Sequence, residues 1–192
     1  MYELDLHGKL HLRLWRIRDP ETECMRSPAQ CDLWAFVWGS SVVLSEVVLS
    51  LNRALEGCKS FEIGAGSGMS SLSAASCGAS AHASDIVPAA LDLLSANALQ
   101  NGLTLSTLVL DWNQPELPTS IRDTQFDLVL GADILYIYSA VKPVLHLCAR
   151  LLAERGVAIV TDPGRTNGDD FEAYAPDYGL YVQRFDFPRL KT

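Results

Sequence analysis

A chain of 192 residues, 48% of them apolar and carrying a formal net charge of −8, is long enough to bury a sizeable core in one domain and too apolar to be disordered. The acidic balance argues against a broad nucleic-acid-binding face and against a membrane-surface role, and no apolar run is long and charge-free enough to cross a bilayer. The five cysteines, Cys24, Cys31, Cys58, Cys77 and Cys148, are scattered without a C-x-x-C pair or a Cys/His cluster, so no metal is expected and reduced thiols in a cytoplasmic-type compartment are.

The first residues carry Glu3 and Asp5 and lack the apolar core of a signal peptide; an Arg-rich transit peptide is not evident either. Leu4 and Leu6, then Leu10, Leu12 and Leu14, share one parity with polar residues between them. With His7-Gly8 as a turn, residues 2–17 predict a β-hairpin with one face on the core, and His7 and His11 as solvent-facing strand residues. Residues 18–32, with Asp19-Pro20 and Ser27-Pro28, read as a loop, so residues 1–32 form an N-terminal extension to a core over 33–192, in a single domain. Ser40 is placed to cap a helix running to about Leu55, with Val43, Val47, Leu51 and Leu44, Val48, Leu55 on its buried stripe. Trp34, Phe36 and Trp38 precede that helix. They are core residues, or they wall a pocket in which Trp38 faces a positively charged ligand.

The stretch Phe61-Glu62-Ile63-Gly64-Ala65-Gly66-Ser67-Gly68 is an apolar run ending in an acid and three alternate glycines. It predicts a strand, a tight turn in which a ligand can lie against bare main chain, and a helix from Met69 to Cys77 stopped by Gly78. A strand over Ala81–Ser84 then leads to Asp85, about twenty residues beyond Gly64, where an acid in a Rossmann-like unit bonds the ribose hydroxyls of an adenosine. Pro88 opens a helix that Gly102 ends. Further strands follow at Leu105–Leu110, closed by Asp111-Trp112, and at Phe126–Gly131, closed by Ala132-Asp133-Ile134-Leu135-Tyr136. Between those two strands, residues 113–125 read as a polar loop. After a helix ending near Leu152 come a strand over Gly156–Thr161, the turn Asp162-Pro163-Gly164-Arg165, a short helix at Asp170–Tyr174 and a last strand, Leu180–Phe187. Alternating strands and helices with near-continuous apolar strands predict an α/β fold with a parallel sheet covered on both faces.

Ligands of such sheets bind beyond the carboxyl ends of the strands. Glu62, Asp85, Asp111, Asp133 and Asp162 collect there, a costly placement for stability alone. The turn lacks the Lys-Ser/Thr of a phosphate-binding loop, its G-x-G-x-G spacing departs from the dinucleotide pattern, and the ring of acids would repel a pyrophosphate. An adenosine ligand with a positive charge and no phosphate, S-adenosylmethionine, fits better. Asp85 would take the ribose, Asp111 the adenine amino group, and Trp112 would stack on the ring.

Taken together, Phe61 to Gly68, Asp85, Leu110-Asp111-Trp112 and the D-x-x-Y pattern of Asp133 and Tyr136 resemble the seven-β-strand S-adenosylmethionine-dependent methyltransferases, and more narrowly methyltransferase family 16, which contains many protein-lysine methyltransferases. Trp34-Ala35-Phe36-Val37-Trp38 and Asp162-Pro163-Gly164-Arg165 are similar to the branch that methylates the electron-transfer-flavoprotein β-subunit. Two features depart from the pattern: Gly39 follows the pocket tryptophan where proline is usual, and only one strand is evident after residue 175 where an antiparallel pair is normal.

The resemblance implies a Rossmann-like seven-stranded sheet and a cofactor, S-adenosylmethionine, held by Trp38, Glu62, Gly64, Ala65, Gly66, Gly68, Asp85, Ile86, Asp111, Trp112 and Ala132. It implies that Asp133 and Tyr136 orient the acceptor amine and receive or relay its proton, with Arg165 at the rim. Methyl transfer is then an in-line displacement in which positioning supplies on the order of 7–11 kcal/mol. A lysine acceptor, with a pKa of about 10.4, must first lose its proton in a desolvating pocket. The expected protein is a cytoplasmic monomer acting on protein lysines, without nucleic acid or membrane partners; mitochondrial and nuclear locations stay open. The competing functions are a small-molecule N-methyltransferase and a catalytically silent cofactor-binding module. For Asp133 the competing role is a cap on the following helix, for Tyr136 simple packing, and for Arg165 an ordinary surface arginine of the turn.

Overall fold

The computed structural model describes residues 2–6, 10–14, 32–114 and 116–186; for residues 2–6, 10 and 11 only the backbone is described. The expected turn at His7-Gly8, the side chain of His11 and the loop from 18 to 31 lie outside the described residues.

The hairpin is present: β1 (Tyr2–Leu6) pairs antiparallel with β2 (Leu10–Leu14), with Leu4 opposite Leu12 and Leu6 opposite Leu10. Leu12 and Leu14 are fully buried among Leu72, Leu94 and Ala98, so one parity of β2 faces the core. Helix α1 (Gly39–Leu51) continues as a single 3-10 turn to Leu55. Then come β3 (Lys59–Ile63), α2 (Met69–Ser76), β4 (Ser80–Asp85), α3 (Pro88–Gln100), β5 (Ser106–Val109), β6 (Phe126–Ala132), α4 (Val141–Leu151), β7 (Leu152–Thr161) and α5 (Asn167–Tyr174). The glycine stops act as expected, with Gly78 and Gly102 at φ of 87° and 66° after α2 and α3.

Strands β3 to β7 form one parallel sheet in the order β5-β4-β3-β6-β7. Alternation along the strands splits the core. Phe61, Ile63 and Val129 face α4 through Val144, Leu147 and Cys148, while Leu128 and Leu130 face α1 through Leu44 and Val48. Each fully buried side chain of this size contributes about 1.5–3 kcal/mol. The loop between β5 and β6, expected to be polar, sends Leu117 and Ile121 into the α4 side of the core. Leu44 and Val48 of α1 and Leu55 of the following 3-10 turn are buried, but Leu51 of the companion stripe is exposed.

The expected seven-stranded sheet has five strands among the described residues, the hairpin standing apart. The expected last strand is not formed: Leu180–Asp186 has no regular structure, and Phe187 lies outside the described residues. Its alternating apolar residues serve helices instead. Leu180 and Val182 pack against Val141, Leu145 and Ala175, and Arg184 bonds Asp169 at 2.8 Å and Glu172 at 3.1 Å on α5.

Candidate active site

Strand order reverses between β3 and β6, the point at which an open parallel sheet leaves a crevice beyond its carboxyl ends. The turn after β3 meets the segments after β5 and β6 there. A Cβ on Gly64 would lie 3.0 Å from Ile134 and 3.2 Å from the ring of Trp112.

Asp85 ends β4 and fastens this turn. One carboxylate oxygen accepts the Gly66 N–H at 2.9 Å and the other the Val87 N–H at 3.0 Å, while the Ala65 N–H donates to the Ser84 carbonyl at 2.8 Å. The turn thus differs from a phosphate cradle, whose N–H groups are free for the ligand: here Gly66 already serves an anion of the chain itself. Each carboxylate oxygen keeps a further lone pair for hydroxyl donors. Gly66 has φ 51°, and the space for its Cβ is already held by the Trp34 carbonyl, 2.9 Å away. The bare main chain there admits the chain's own Trp34 segment.

Glu62 is buried beneath the turn rather than open to the crevice. Its carboxylate accepts the Ser71 N–H at 2.9 Å and the Ser71 hydroxyl, supplying the cap for α2 that Gly68, with no side chain, cannot give. Burial pushes its carboxyl up from 4.5 to about 7, against the bonds from Ser71 and with a small push from Asp85.

The remaining expected ligands sit at the same end of the sheet. Asp111 accepts the Asn113 N–H at 2.9 Å, which holds its carboxyl below the ordinary range, and also takes the side-chain amides of Asn113 and Gln114. Trp112 is half-buried on the core and covers Gly64. Ile86 is exposed beside Asp85, and Ala132 is half-buried at the end of β6. Trp38 is partly exposed, its indole N–H donating to the Leu33 carbonyl at 3.0 Å and its ring tilted against Phe36 at 5.3 Å.

Asp133 has a left-handed backbone (φ 58°), and its N–H donates to the Thr161 carbonyl at 2.8 Å. One carboxylate oxygen accepts the Arg165 guanidinium; the other faces the Ser40 hydroxyl at 3.4 Å. Arg165 also bonds Asp162 at 3.1 Å. Helix α4 starts eight residues later and its N-cap, Ala140, offers no side-chain bond, so Asp133 does not cap it. Ser40, expected to cap α1, does not cap it either: Trp38 is the N-cap, and the Ser40 hydroxyl turns to Asp133. Nothing in the sequence signalled that pairing. Tyr136 is 44% exposed, and burial together with the negative charge of Asp85 pushes its phenol above its ordinary value. A neutral Tyr136 is a donor on the Asp85 side of the crevice; Asp133 is an acceptor on the Arg165 side.

The sequence profile of the lysine methyltransferase family matches residues 26–171. The chain belongs to that family. Its similarity to curated proteins is partial. It is 29% identical over 134 residues to protein N-lysine methyltransferase METTL21A of Mus musculus, covering 68% of this chain and 61% of the relative. It is 33% identical over 104 residues to histone-arginine methyltransferase METTL23 of Rattus norvegicus, covering 53% of this chain and 46% of the relative. The chain therefore spans between about half and three-fifths of the length of these curated relatives. Among solved structures, a putative RNA methyltransferase, PH1948 from Pyrococcus horikoshii, superposes with a TM-score of 0.64 at 17% identity, covering 90% of this chain and 81% of the other. At that identity the likeness is one of fold, and it places this lysine methyltransferase family member on the Rossmann-like methyltransferase sheet.

Proposed function

We propose that this chain is an S-adenosylmethionine-dependent N-methyltransferase acting on lysine side chains of a protein. The observation that carries the reading is the charge of the crevice. Asp85, Asp111 and Asp133 stand at successive strand ends around a turn whose Gly66 N–H is already given to Asp85. That donor set suits a ligand with ribose hydroxyls and positive charge and does not suit a phosphate. Membership of the lysine methyltransferase family and the lysine specificity in the name of the mouse relative support the same acceptor.

S-adenosylmethionine supplies, when bound, a methyl group activated by its sulfonium. Asp85 accepts the ribose hydroxyls and keeps the glycine turn closed. Trp112, lying against Gly64, walls the adenine side, with Asp111 next to it in the chain. Asp133 accepts an N–H of the incoming amine and favours its approach as a cation. Tyr136, kept neutral, would accept another N–H of the same amine through its phenol oxygen, and the amine would give up its proton by way of Asp133 to solvent, leaving its lone pair free to attack. Trp38, partly exposed with its indole N–H given to the Leu33 carbonyl, immediately precedes the helix whose Ser40 faces Asp133.

Incubating the protein with radiolabelled S-adenosylmethionine and a cell extract, then separating protein from small molecules, tests the reading. Label in protein, recovered as methyl-lysine after hydrolysis, is expected. Label confined to small molecules would replace the acceptor class, and label as methyl-arginine would replace the residue. Cofactor binding without any transfer would leave a silent module.

A further inference from the structure

The side chain of Asp133 is 9% exposed and that of Asp162 is 12% exposed, and a single guanidinium, Arg165, lies between them. We propose that Arg165 is a positioning residue: it aims the Asp133 carboxylate at the acceptor amine, and Asp162 holds Arg165 in place to do so. The proposal rests on Asp133 being the acceptor-side carboxylate.

The geometry forms a chain of supports with a fixed start. Asp162 follows β7 directly, and one of its oxygens accepts two N–H groups of its own turn, Gly164 at 2.8 Å and Arg165 at 2.5 Å. That leaves the other oxygen pointing at the Arg165 guanidinium, 3.1 Å away. The same guanidinium nitrogen, Nη1, bonds Asp133 at the same time. Asp133 needs such support. Its left-handed backbone is uncommon for a residue with a side chain and persists only where neighbours determine it. Those neighbours are Thr161, whose carbonyl takes the Asp133 N–H, and Arg165 and Ser40, which take the two carboxylate oxygens. Thr161 in turn bonds the Ser40 carbonyl at 2.9 Å, which closes the frame.

The charges explain why two acids serve one arginine. A lone Asp133–Arg165 pair would be neutral and would give an arriving ammonium no attraction. With Asp162 the group carries one net negative charge, so Asp133 is held by a cation and still draws another. Removing Arg165 would leave two largely buried carboxylates facing each other, and Asp133 would turn away from the crevice. An arginine that merely touched substrate at the rim would need neither Asp162 nor the contact with Asp133.

The test compares R165M, R165K and D162N with D133A, using radiolabelled S-adenosylmethionine and total extract protein as acceptor. It is paired with a crystal structure of R165M bound to S-adenosylhomocysteine. Positioning predicts that R165M loses about tenfold or more in kcat, with the half-saturating acceptor concentration and S-adenosylhomocysteine affinity nearly unchanged. R165K should restore most of the loss, D162N should fall between, and Asp133 should have left Ser40 in the crystal. Three results would each overturn the proposal: wild-type kcat in R165M while D133A is inactive, a rise confined to KM, or an Asp133 that has not moved. Full activity in D133A would remove the acceptor-side role of Asp133 itself, and this proposal with it.

Discussion

Glu62 offers a test that needs no substrate. Its carboxyl is buried and pushed from 4.5 to about 7, so the folded chain holds a proton that the unfolded chain releases between those values. Below pH 4.5 both states are protonated and the fold carries no penalty. As pH rises towards 7 the unfolded state ionises first, and stability falls; above 7 the loss levels off. The full window is worth about 3 kcal/mol at 1.36 kcal/mol per pKa unit. Glu62→Gln keeps an oxygen for the Ser71 N–H and hydroxyl and cannot ionise. The variant should therefore gain on the parent as pH rises: the difference attributable to ionisation is under about 1 kcal/mol at pH 5 and about 3 kcal/mol at pH 8. For a chain of this size that corresponds to a relative rise in Tm of roughly 6–12 °C at the higher pH. Urea titrations of both proteins at pH 5, 6, 7 and 8, without cofactor, measure it. A stability difference that stays constant across those values would mean that Glu62 is ionised in the fold at its ordinary value, and the argument from burial would fail.

The crevice gives further expectations. Asp85→Ala should cost about 1.5–3 kcal/mol through the loss of its charge-assisted bonds to Gly66 and Val87, and should abolish the rise in Tm that S-adenosylhomocysteine gives the parent; an undiminished rise would remove Asp85 from the ribose. Gly66→Ala should lower Tm even without ligand, because a methyl group meets the Trp34 carbonyl at a positive φ; unchanged thermal melting would show that the Trp34 segment moves aside freely. Asp133→Ala and Tyr136→Phe should lower kcat far more than they weaken cofactor binding measured by calorimetry, and full turnover in both would leave the crevice without an acceptor side. Methyl transfer by the parent should rise from pH 7 to pH 9 as more acceptor lysine is neutral. A neutral Tyr136 sets no limit in that range, so a flat profile would argue against a lysine acceptor.

The alternating strands and helices from β3 to α5 were legible because central parallel strands such as β6 are apolar along most of their length and glycines close α2 and α3. Gly78 and Gly102 stand where the helices stop, and Asp85 stands at the end of β4. What escaped was long-range. Glu62, read as a cofactor ligand from its neighbours in sequence, caps α2 through Ser71, nine residues away. Ser40 had the chemistry of a helix cap and found a partner 93 residues away in Asp133. The alternating segment after Leu180 carried the period of a strand, but period 2 only states that one side is apolar. Here that side met α4 and the turn after α5. Local pattern fixes what a residue can do; which partner it meets depends on topology that no window of the sequence contains.

The glycine turn is held from every side by a different element, and this bears on how the crevice works. Asp85 of β4 holds the Gly66 N–H, the Trp34 carbonyl lies over Gly66, Leu94 of α3 fills the space beside Gly68, and Trp112 and Ile134 close on Gly64. The Asn97 side chain of α3 donates to the Ser67 carbonyl at 3.3 Å. Just past the end of the same helix, Asn101 bonds both the N–H and the carbonyl of Arg13 on β2, at 2.9 Å and 2.8 Å. The hairpin, which takes no part in the sheet, is thereby joined through α3 to the turn. A site whose catalysis is mostly positioning gains from such over-determination, because a misplacement of about 1 Å can cost two orders of magnitude in rate. The proposed acceptor side follows the same logic with different means. Asp133 is held by Thr161, Ser40 and Arg165 from two segments distant in sequence, while Tyr136 is 44% exposed. On the proposed reading, the many contacts on the glycine turn suit a cofactor that is always the same molecule, and the exposed Tyr136 suits an acceptor that arrives as part of another chain.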